Sequence, residues 1–392
     1  MRELKKFKIE GDKVKRDKKI LLIATVQSHI CQFHRPLVAM LHEHGCEVHV
    51  AARNNLAEKN GLKLDFVEQV FDVPFQRSPF SPKNLGAYKQ LKKIIDEGSY
   101  DVIHCNTPVG GVIGRLAARD ARKHGAQVFY TAHGFHFYQG APKKNWLLWY
   151  PVEKYMCRYT DKLITINEED ARLARRHFQT QVFHIHGVGV STKRYYEHSQ
   201  EEMLAMREQE GLGETDYVVL CTGELNENKD QKTLIRAAAL VHEQLPDLRV
   251  LLAGNGPKEA ELKRLILDMN AGSYVHMLGY RTDLERIVPV ADAVVSCSRR
   301  EGLGLNIIEA MLCGKPVIAA ENRGHRELVA NKQTGYLFCA GDVAALGEKL
   351  VRLHNTKDVK EMGRAGYDAA QLYTDTHVQK ELAEIYGFGG DA

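Results

Sequence analysis

Short apolar runs bounded by turn residues recur along the chain, and many of the stretches between them repeat their apolar positions at helical spacing. In the first half, Lys19–Val26, Glu47–Ala52, Asp101–Asn106, Gln127–Ala132, Lys162–Asn167 and Val182–His186 read as strands. Pro36–His44, between the first two, is an apolar-periodic helix stopped by Gly45. A further helix is expected from Gly110 to Lys123; Gly110, Gly111 and Gly114 near its start suit close packing more than ligand contact. In the second half the strand candidates are Tyr217–Thr222, Arg249–Ala253, Val275–Leu278, Ala293–Cys297, Pro316–Ala320 and Gly335–Phe338. Helices are expected over Gln231–Gln244, Pro257–Met269, Asn306–Leu312, Val343–His354 and Thr376–Tyr386.

Strands and helices alternating in this way predict an α/β protein, with parallel sheets covered by helices on both faces. A chain of 392 residues exceeds one ordinary core, so two domains are expected. The polar interval Val190–Asp216, with its Glu- and Gln-rich Ser199–Glu210, is the best linker, although it can itself be helical. The expected division is residues 1–190, opening with a basic tail over 1–18, then 191–375, then a terminal helix within 376–392. Open parallel sheets bind ligands beyond the carboxyl ends of their strands, so two Rossmann-like domains facing each other would frame a cleft.

Composition narrows the classes. Apolar content of 44% and charged content of 27% are those of a globular protein in water. A net charge of +4, with no basic stretch interleaved with stacking aromatics, gives no reason to expect nucleic acid. The eight cysteines are scattered without a C-x-x-C pair, so neither a zinc site nor a disulfide framework is expected, and a reducing cytoplasm is the simplest home. No run approaches the roughly 20 apolar residues that span a bilayer. The basic Met1–Lys19 is either a solvated tail or a weak attraction to anionic lipid; the apolar Ile20–Ala24 after it is too short for a secretory signal.

The segment from Ser298 to Ile318 carries the most chemistry. It reads as a strand exit, a two-glycine turn, a short helix stopped at Gly314-Lys-Pro316, and a new strand. Gly302 and Gly304 leave the amides at the helix entrance open to an anion, and Glu301 and Glu309 bracket that turn. Such a layout suits a nucleotide diphosphate bearing a polyol. It equally allows Asn306 and Glu309 to form a capping box, and Glu301 to be a solvated loop charge. A glycoside-hydrolase pair is unfavourable: in a continuous helix the two acids would lie about 12 Å apart, beyond the roughly 5–9.5 Å that chemistry uses.

Glu301-Gly-Leu-Gly-Leu305, Glu309-Ala-Met311 and Gly314-Lys-Pro-Val317 together resemble the E-x7-E signature of the retaining glycosyltransferases of family four, which have the GT-B fold. Thr222–Asp230, Leu252–Pro257 and Thr131-Ala-His-Gly134 extend the resemblance over most of the chain, and it is nearest to the bacterial capsular and exopolysaccharide branch. The resemblance implies that Glu309 holds the ribose diol and Glu301 a sugar hydroxyl. Amides around Gly302, Leu303, Gly304 and Leu305 would meet the sugar and diphosphate, and His133 would face the sugar from the first domain. Lys229, in the turn opened by Gly223, would neutralise the departing diphosphate. The family usually has arginine where this chain has Glu224; Arg299, Arg300 or Arg281 could supply that charge, or Lys229 could act with backbone amides and help from Arg300. Asn255, Tyr280 and Arg281 fall where the family approaches the base. A plain turn also explains Gly254-Asn-Gly-Pro257.

On the acceptor side, Ser28, His29 and His34 occupy the first strand-to-helix turn, where the histidines could be acceptor contacts or one could act as a general base, and Asn167, ending a later strand, is expected as a polar contact near the same cleft. That first turn lacks the G-x-G-x-x-G fingerprint, against a dinucleotide site. His29, His34 and His133 have no spacing that predicts a metal site, and neither metal nor cofactor is expected. Trp146-Leu-Leu-Trp-Tyr-Pro151, preceded by Lys143-Lys144, reads either as a membrane-interface patch or as a core helix. The resulting expectation is a retaining hexosyl- or N-acetylhexosaminyltransferase that moves a sugar, from a UDP-sugar, to a polyprenyl-diphosphate-linked glycan at the inner face of the plasma membrane. The alternatives are a nucleotide-sugar 2-epimerase of the same fold and a non-catalytic nucleotide-binding partner of another transferase.

Overall fold

The computed structural model describes residues 18–59 and 61–389, so nearly all of the expected basic tail lies outside the described residues. The strands form two sheets, one of seven strands and one of six. By contacts the chain separates into a unit ending at Tyr130 and a unit beginning at Thr131.

The first unit is built on β1 (Lys19–Val26), β2 (Glu47–Arg53), β3 (Gln69–Asp72) and β4 (Val102–Asn106). Ile20–Ala24 is apolar throughout because β1 lies between β2 and β4, buried on both faces. The order β3-β2-β1-β4 is parallel and reverses direction at β1, the mark of a doubly wound sheet. Thr25 and Thr107, at the ends of β1 and β4, meet there with hydroxyl oxygens 2.7 Å apart. The glycines after Thr107 are packing devices: a Cβ on Gly110 would lie 3.0 Å from the backbone of Ala24 and Thr25, and one on Gly114 2.6 Å from Cys105 Sγ. The expected helix over 110–123 is two pieces, Pro108–Ala117 and Arg119–Lys123.

In the second unit, β6 (Lys162–Thr165) and β7 (Gln181–His184) follow β5 (Gln127–Ala132), whose last residues open the unit. The six-stranded sheet comprises β8 (Tyr217–Thr222), β9 (Leu248–Ala253), β10 (Val275–Gly279), β11 (Ala293–Ser296), β12 (Val317–Ala320) and β13 (Gly335–Phe338). Its order is β10-β9-β8-β11-β12-β13, parallel in every pair, with Val219 of β8 opposite Ala293 of β11. The interval read as a linker contains a helix, Gln200–Gln209, closed by a capping box between Ser199 and Glu202. The terminal helix Asp375–Tyr386 rests against the β6–β7 region: Glu381 accepts from the His186 amide at 2.9 Å and its Nδ1 at 2.6 Å, and Lys162 Nζ donates to the Ile385 carbonyl. Among the described residues no helix is long and apolar enough to cross a membrane.

Candidate functional site

The six-stranded sheet reverses between β8 and β11, and the loops leaving those two strands carry the residues the sequence singled out. After β8, Gly223 takes φ +140, and the Lys229 side chain lies across it, 3.3 Å from where a Cβ would stand. After β11 comes Glu301. Lys229 Nζ donates to Glu301 Oε1 at 2.7 Å, with both side chains mostly covered. Burial works to raise the Glu301 carboxyl, but the Lys229 charge and hydrogen bonds from Lys229 and Ser298 outweigh it and hold the group below the ordinary value. Glu301 is therefore a paired carboxylate, which removes the reading of a solvated loop charge.

The helix after Glu301 runs Leu305–Leu312 and is entered through Gly304 at φ +113, with no side-chain cap. This corrects the capping-box alternative: Asn306 lies inside the helix, and with Gly304 as the N-cap, Glu309 lies two residues beyond the position from which a capping-box acid reaches back. Tyr195 hydrogen-bonds Glu309 instead. Burial nevertheless pushes the Glu309 carboxyl up to about 7, against that bond and the charges of Arg194 and Lys229. Gly302 has a use the sequence did not reveal. A Cβ there would lie 2.2 Å from the His133 carbonyl oxygen, so the turn at 301–304 passes directly against the peptide at 133–134. Burial pushes the half-buried His133 imidazole down to about 4, so it is neutral at physiological pH.

Asn167, expected as a polar contact for an acceptor, is fully buried and engaged. It caps the helix Glu168–His177 by accepting from the Asp170 amide at 2.8 Å, and it donates to the Gly302 carbonyl at 2.9 Å and to Asp170 Oδ2 at 3.1 Å. Asp170 and Arg323, neither of which the sequence marked, form a buried ion pair at 2.6 Å beside it.

At the departure from the family's usual arginine, the Glu224 side chain is exposed and accepts from Asn226 Nδ2 at 3.0 Å. Of the arginines that could replace the family's usual one, Arg299 is held by Asp230 at 3.0 Å. Arg281 is forked between Glu210 and Asp283 at 2.8 Å each, which raises its pKa further. Arg300 is exposed, and its charge helps burial push His136 down to about 4. Asn255 and Tyr280 are exposed. Pro257 does not open the next helix, which starts at Glu259; a Cβ on Gly254 would lie 1.9 Å from the Gly223 carbonyl, so that glycine permits contact between the two loops.

In the first unit, Ser28 is buried and accepts from Asn55 Nδ2 at 2.9 Å, and the His29 and His34 rings lie 5.2 Å apart. In the helix Lys143–Met156 the tryptophans turn inward: Trp146 donates to the Tyr138 carbonyl at 3.1 Å and Trp149 stacks on His136. Leu147, 82% exposed, and Leu148 face out beside Lys143 and Lys144. Elsewhere His186, His377 and Glu381 bring possible ligand atoms within 4.8 Å, but this group already ties the terminal helix down.

Residues 19–167 match the family described as glycosyl transferase 4-like, and residues 202–369 match glycosyl transferases group 1. The chain is 45% identical, over 374 residues, to the putative glycosyltransferase EpsD of Bacillus subtilis strain 168, covering 94% of this chain and 96% of that one. The chain belongs to the GT-B glycosyltransferases, in a family-four-like group related to EpsD. A second relative, 27% identical over 79% of this chain and 82% of its own length, is the Escherichia coli UDP-Gal:alpha-D-GlcNAc-diphosphoundecaprenol alpha-1,3-galactosyltransferase. Among solved structures, Anabaena Alr3699/HepE in complex with UDP matches with a TM-score of 0.77 at 22% identity, covering 95% of this chain and 99% of that one. That likeness establishes the shared fold, two parallel sheets flanked by helices.

Proposed function

We propose that this glycosyltransferase moves a sugar, with retention of configuration, from a UDP-sugar to a lipid-linked glycan during synthesis of a bacterial surface polysaccharide. The observation that carries the reading is the Lys229–Glu301 pair at the switch point of the six-stranded sheet, next to a carboxylate, Glu309, that burial makes reluctant to ionise. Names of relatives support it: one acts with UDP-Gal on a diphosphoundecaprenol-linked sugar, and a structure of like fold holds UDP.

In this reading Glu309 accepts hydrogen bonds from the ribose diol and Glu301 from a sugar hydroxyl. Lys229, helped by Arg300 and the amides of Gly302–Leu305, neutralises the diphosphate. His133, neutral, bonds a sugar hydroxyl near the anomeric carbon. The acceptor hydroxyl oxygen bonds to that carbon from the face the diphosphate leaves, the bond to the diphosphate oxygen breaks, and that oxygen takes the acceptor proton. No protein nucleophile or metal is needed; alignment and charge stabilisation supply the rate. Residues 1–190 would hold the acceptor, 191–375 the donor, and the helix within 376–392 would join them. Ser28, His29 and His34 would line the acceptor side, with Asn255, Tyr280 and Arg281 near the base. The enzyme would work in the cytoplasm against the membrane, with Leu147, Leu148 and the two lysines before them as the contact.

The test is incubation with a panel of UDP-sugars, with and without a polyprenyl-diphosphate-linked acetamido sugar, and the product linkage read by NMR. Transfer with an α linkage from an α donor, lost in Glu301→Ala while folding is kept, is expected. A 2-epimer formed without acceptor would make the chain an isomerase. No turnover with any donor, alongside UDP binding, would make it a nucleotide-binding partner.

A further inference from the structure

The roles above depend on the turn at 301–304 and the peptide at 133–135 lying against each other, and one buried side chain reaches both. Arg323, which opens the helix Arg323–Leu328 after β12, is 5% exposed, and Asp170, in the first turn of the helix Glu168–His177, is fully buried. Arg323 Nη1 donates to Asp170 Oδ1 at 2.6 Å, Nη2 to the Phe135 carbonyl at 2.7 Å, and Nε to the Glu301 carbonyl at 3.3 Å. The other Asp170 oxygen accepts from the Phe135 amide at 2.9 Å and from Asn167 Nδ2, which also holds the Gly302 carbonyl. The guanidinium lies 4.6 Å from the centre of the Tyr138 ring.

A planar fork with five donors can hold three oxygens in fixed directions, which an ammonium cannot. Buried ion pairs seldom stabilise a fold more than apolar residues of similar volume would. What this pair supplies is geometry. Each site turn presents a carbonyl to the same guanidinium, and each is also tied to the Asn167–Asp170 cap. The contact is tight enough to require glycine at 302, where a Cβ would strike the His133 carbonyl.

We propose that Arg323 and Asp170 are positioning residues for sugar transfer, fixing the His133 peptide against Gly302 and thereby setting the imidazole against the sugar-holding carboxylate of Glu301. The inference rests on the transferase reading above. It predicts that loosening the pair harms the reaction step far more than nucleotide binding, because the proposed ribose contact, Glu309, and the charged partner of the diphosphate, Lys229, lie outside the pair, and only the Gly302–Leu305 amides share its turn.

Three variants test it. Arg323→Lys keeps the charge and loses the fork. Asp170→Asn combined with Arg323→Gln removes both charges, so neither is stranded. Asn167→Ser keeps a good helix cap while releasing Gly302, so it is expected to fold even if the others do not. The readouts are kcat with the best UDP-sugar, UDP affinity by calorimetry, and Tm. Arg323→Lys and the double variant should lose about 100-fold in kcat, as for a misplacement of about 1 Å, with UDP affinity falling far less than kcat, and Asn167→Ser should move in the same direction. Full kcat in a folded variant, or kcat and UDP binding falling together with the folded fraction, would overturn the proposal. An inactive wild-type chain would instead defeat the transferase reading.

Discussion

Replacing Glu309 by glutamine should flatten the pH dependence of nucleotide-sugar binding and, at the same time, stabilise the free protein at mildly alkaline pH. Burial raises this carboxyl from 4.5 to about 7, a gap worth about 3 kcal/mol at about 1.4 kcal/mol per pH unit. The sign follows from linkage. A carboxyl whose folded pKa lies above its unfolded one favours folding fully below pH 4.5, and that contribution is lost as pH rises towards about 7. Glutamine carries no such charge, so Glu309→Gln should exceed the wild type in stability by up to about 3 kcal/mol near pH 8 and by little near pH 5. Binding should move oppositely. If the ionised carboxylate accepts from the ribose diol, its population rises from about one-tenth to about nine-tenths between roughly pH 6 and pH 8, tightening binding about ninefold. UDP-glucose is a suitable probe because its diphosphate does not titrate in that range. Calorimetric titrations across it, with urea unfolding of both proteins without ligand, would measure the two effects. A flat wild-type profile, with Glu309→Gln binding equally well, would refute the ribose role. A less stable Glu309→Gln protein near pH 8 would refute the burial argument.

The sheets were legible because their strands are apolar runs with no exposed face. Where that signal thins, the reading failed. β3 is a short edge strand with no fully buried residue, and the helix Asn84–Gly98 that follows shows only Ala87, Leu91 and Ile95 as an apolar stripe in a lysine-rich run. The helix Glu168–His177 buries only two alanines and the charged Asp170, with no larger apolar side chain, yet Asn167 as cap, acids in its first turn and bases in its last announce it. The local sequence of Asn167 instead suggests a strand end carrying a polar contact for the acceptor. In the site, Lys229, Glu301, Glu309 and His133 stood out because each follows a strand in a motif. Asp170 and Arg323 did not, because their pairing spans 153 residues and neither local sequence hints at the other. Gly302 was legible as a glycine but not in its purpose, since the His133 carbonyl that fills the space arrives from a distant turn.

Lys229→Ala should reduce kcat by about 10²–10³-fold, as when one charge-stabilising donor is lost, and should let the Glu301 carboxyl titrate at higher pH; near-normal steady-state kinetics would discard the phosphate role. Leu147→Ser with Leu148→Ser should weaken sedimentation with anionic vesicles at unchanged Tm, since both side chains face outward, and equal sedimentation would remove that helix as the membrane contact. Trp149→Ala should lower Tm, because its ring stacks on His136; an unchanged Tm would contradict the packing. Gly302→Ala isolates the close approach of the two site turns. Gly302 does not sit in the left-handed region, so alanine brings no backbone strain there, and the whole effect comes from a methyl placed 2.2 Å from a carbonyl oxygen. The neighbour is backbone, which cannot swing aside as a side chain would, so the turns at 301–304 and 133–135 must part. Overpacking of this kind costs about 1–3 kcal/mol, and a parting of about 1 Å should lower kcat about 100-fold while Glu309 still holds the ribose. A Gly302→Ala enzyme with wild-type Tm and kcat would mean that contact between these turns is not what the reaction requires.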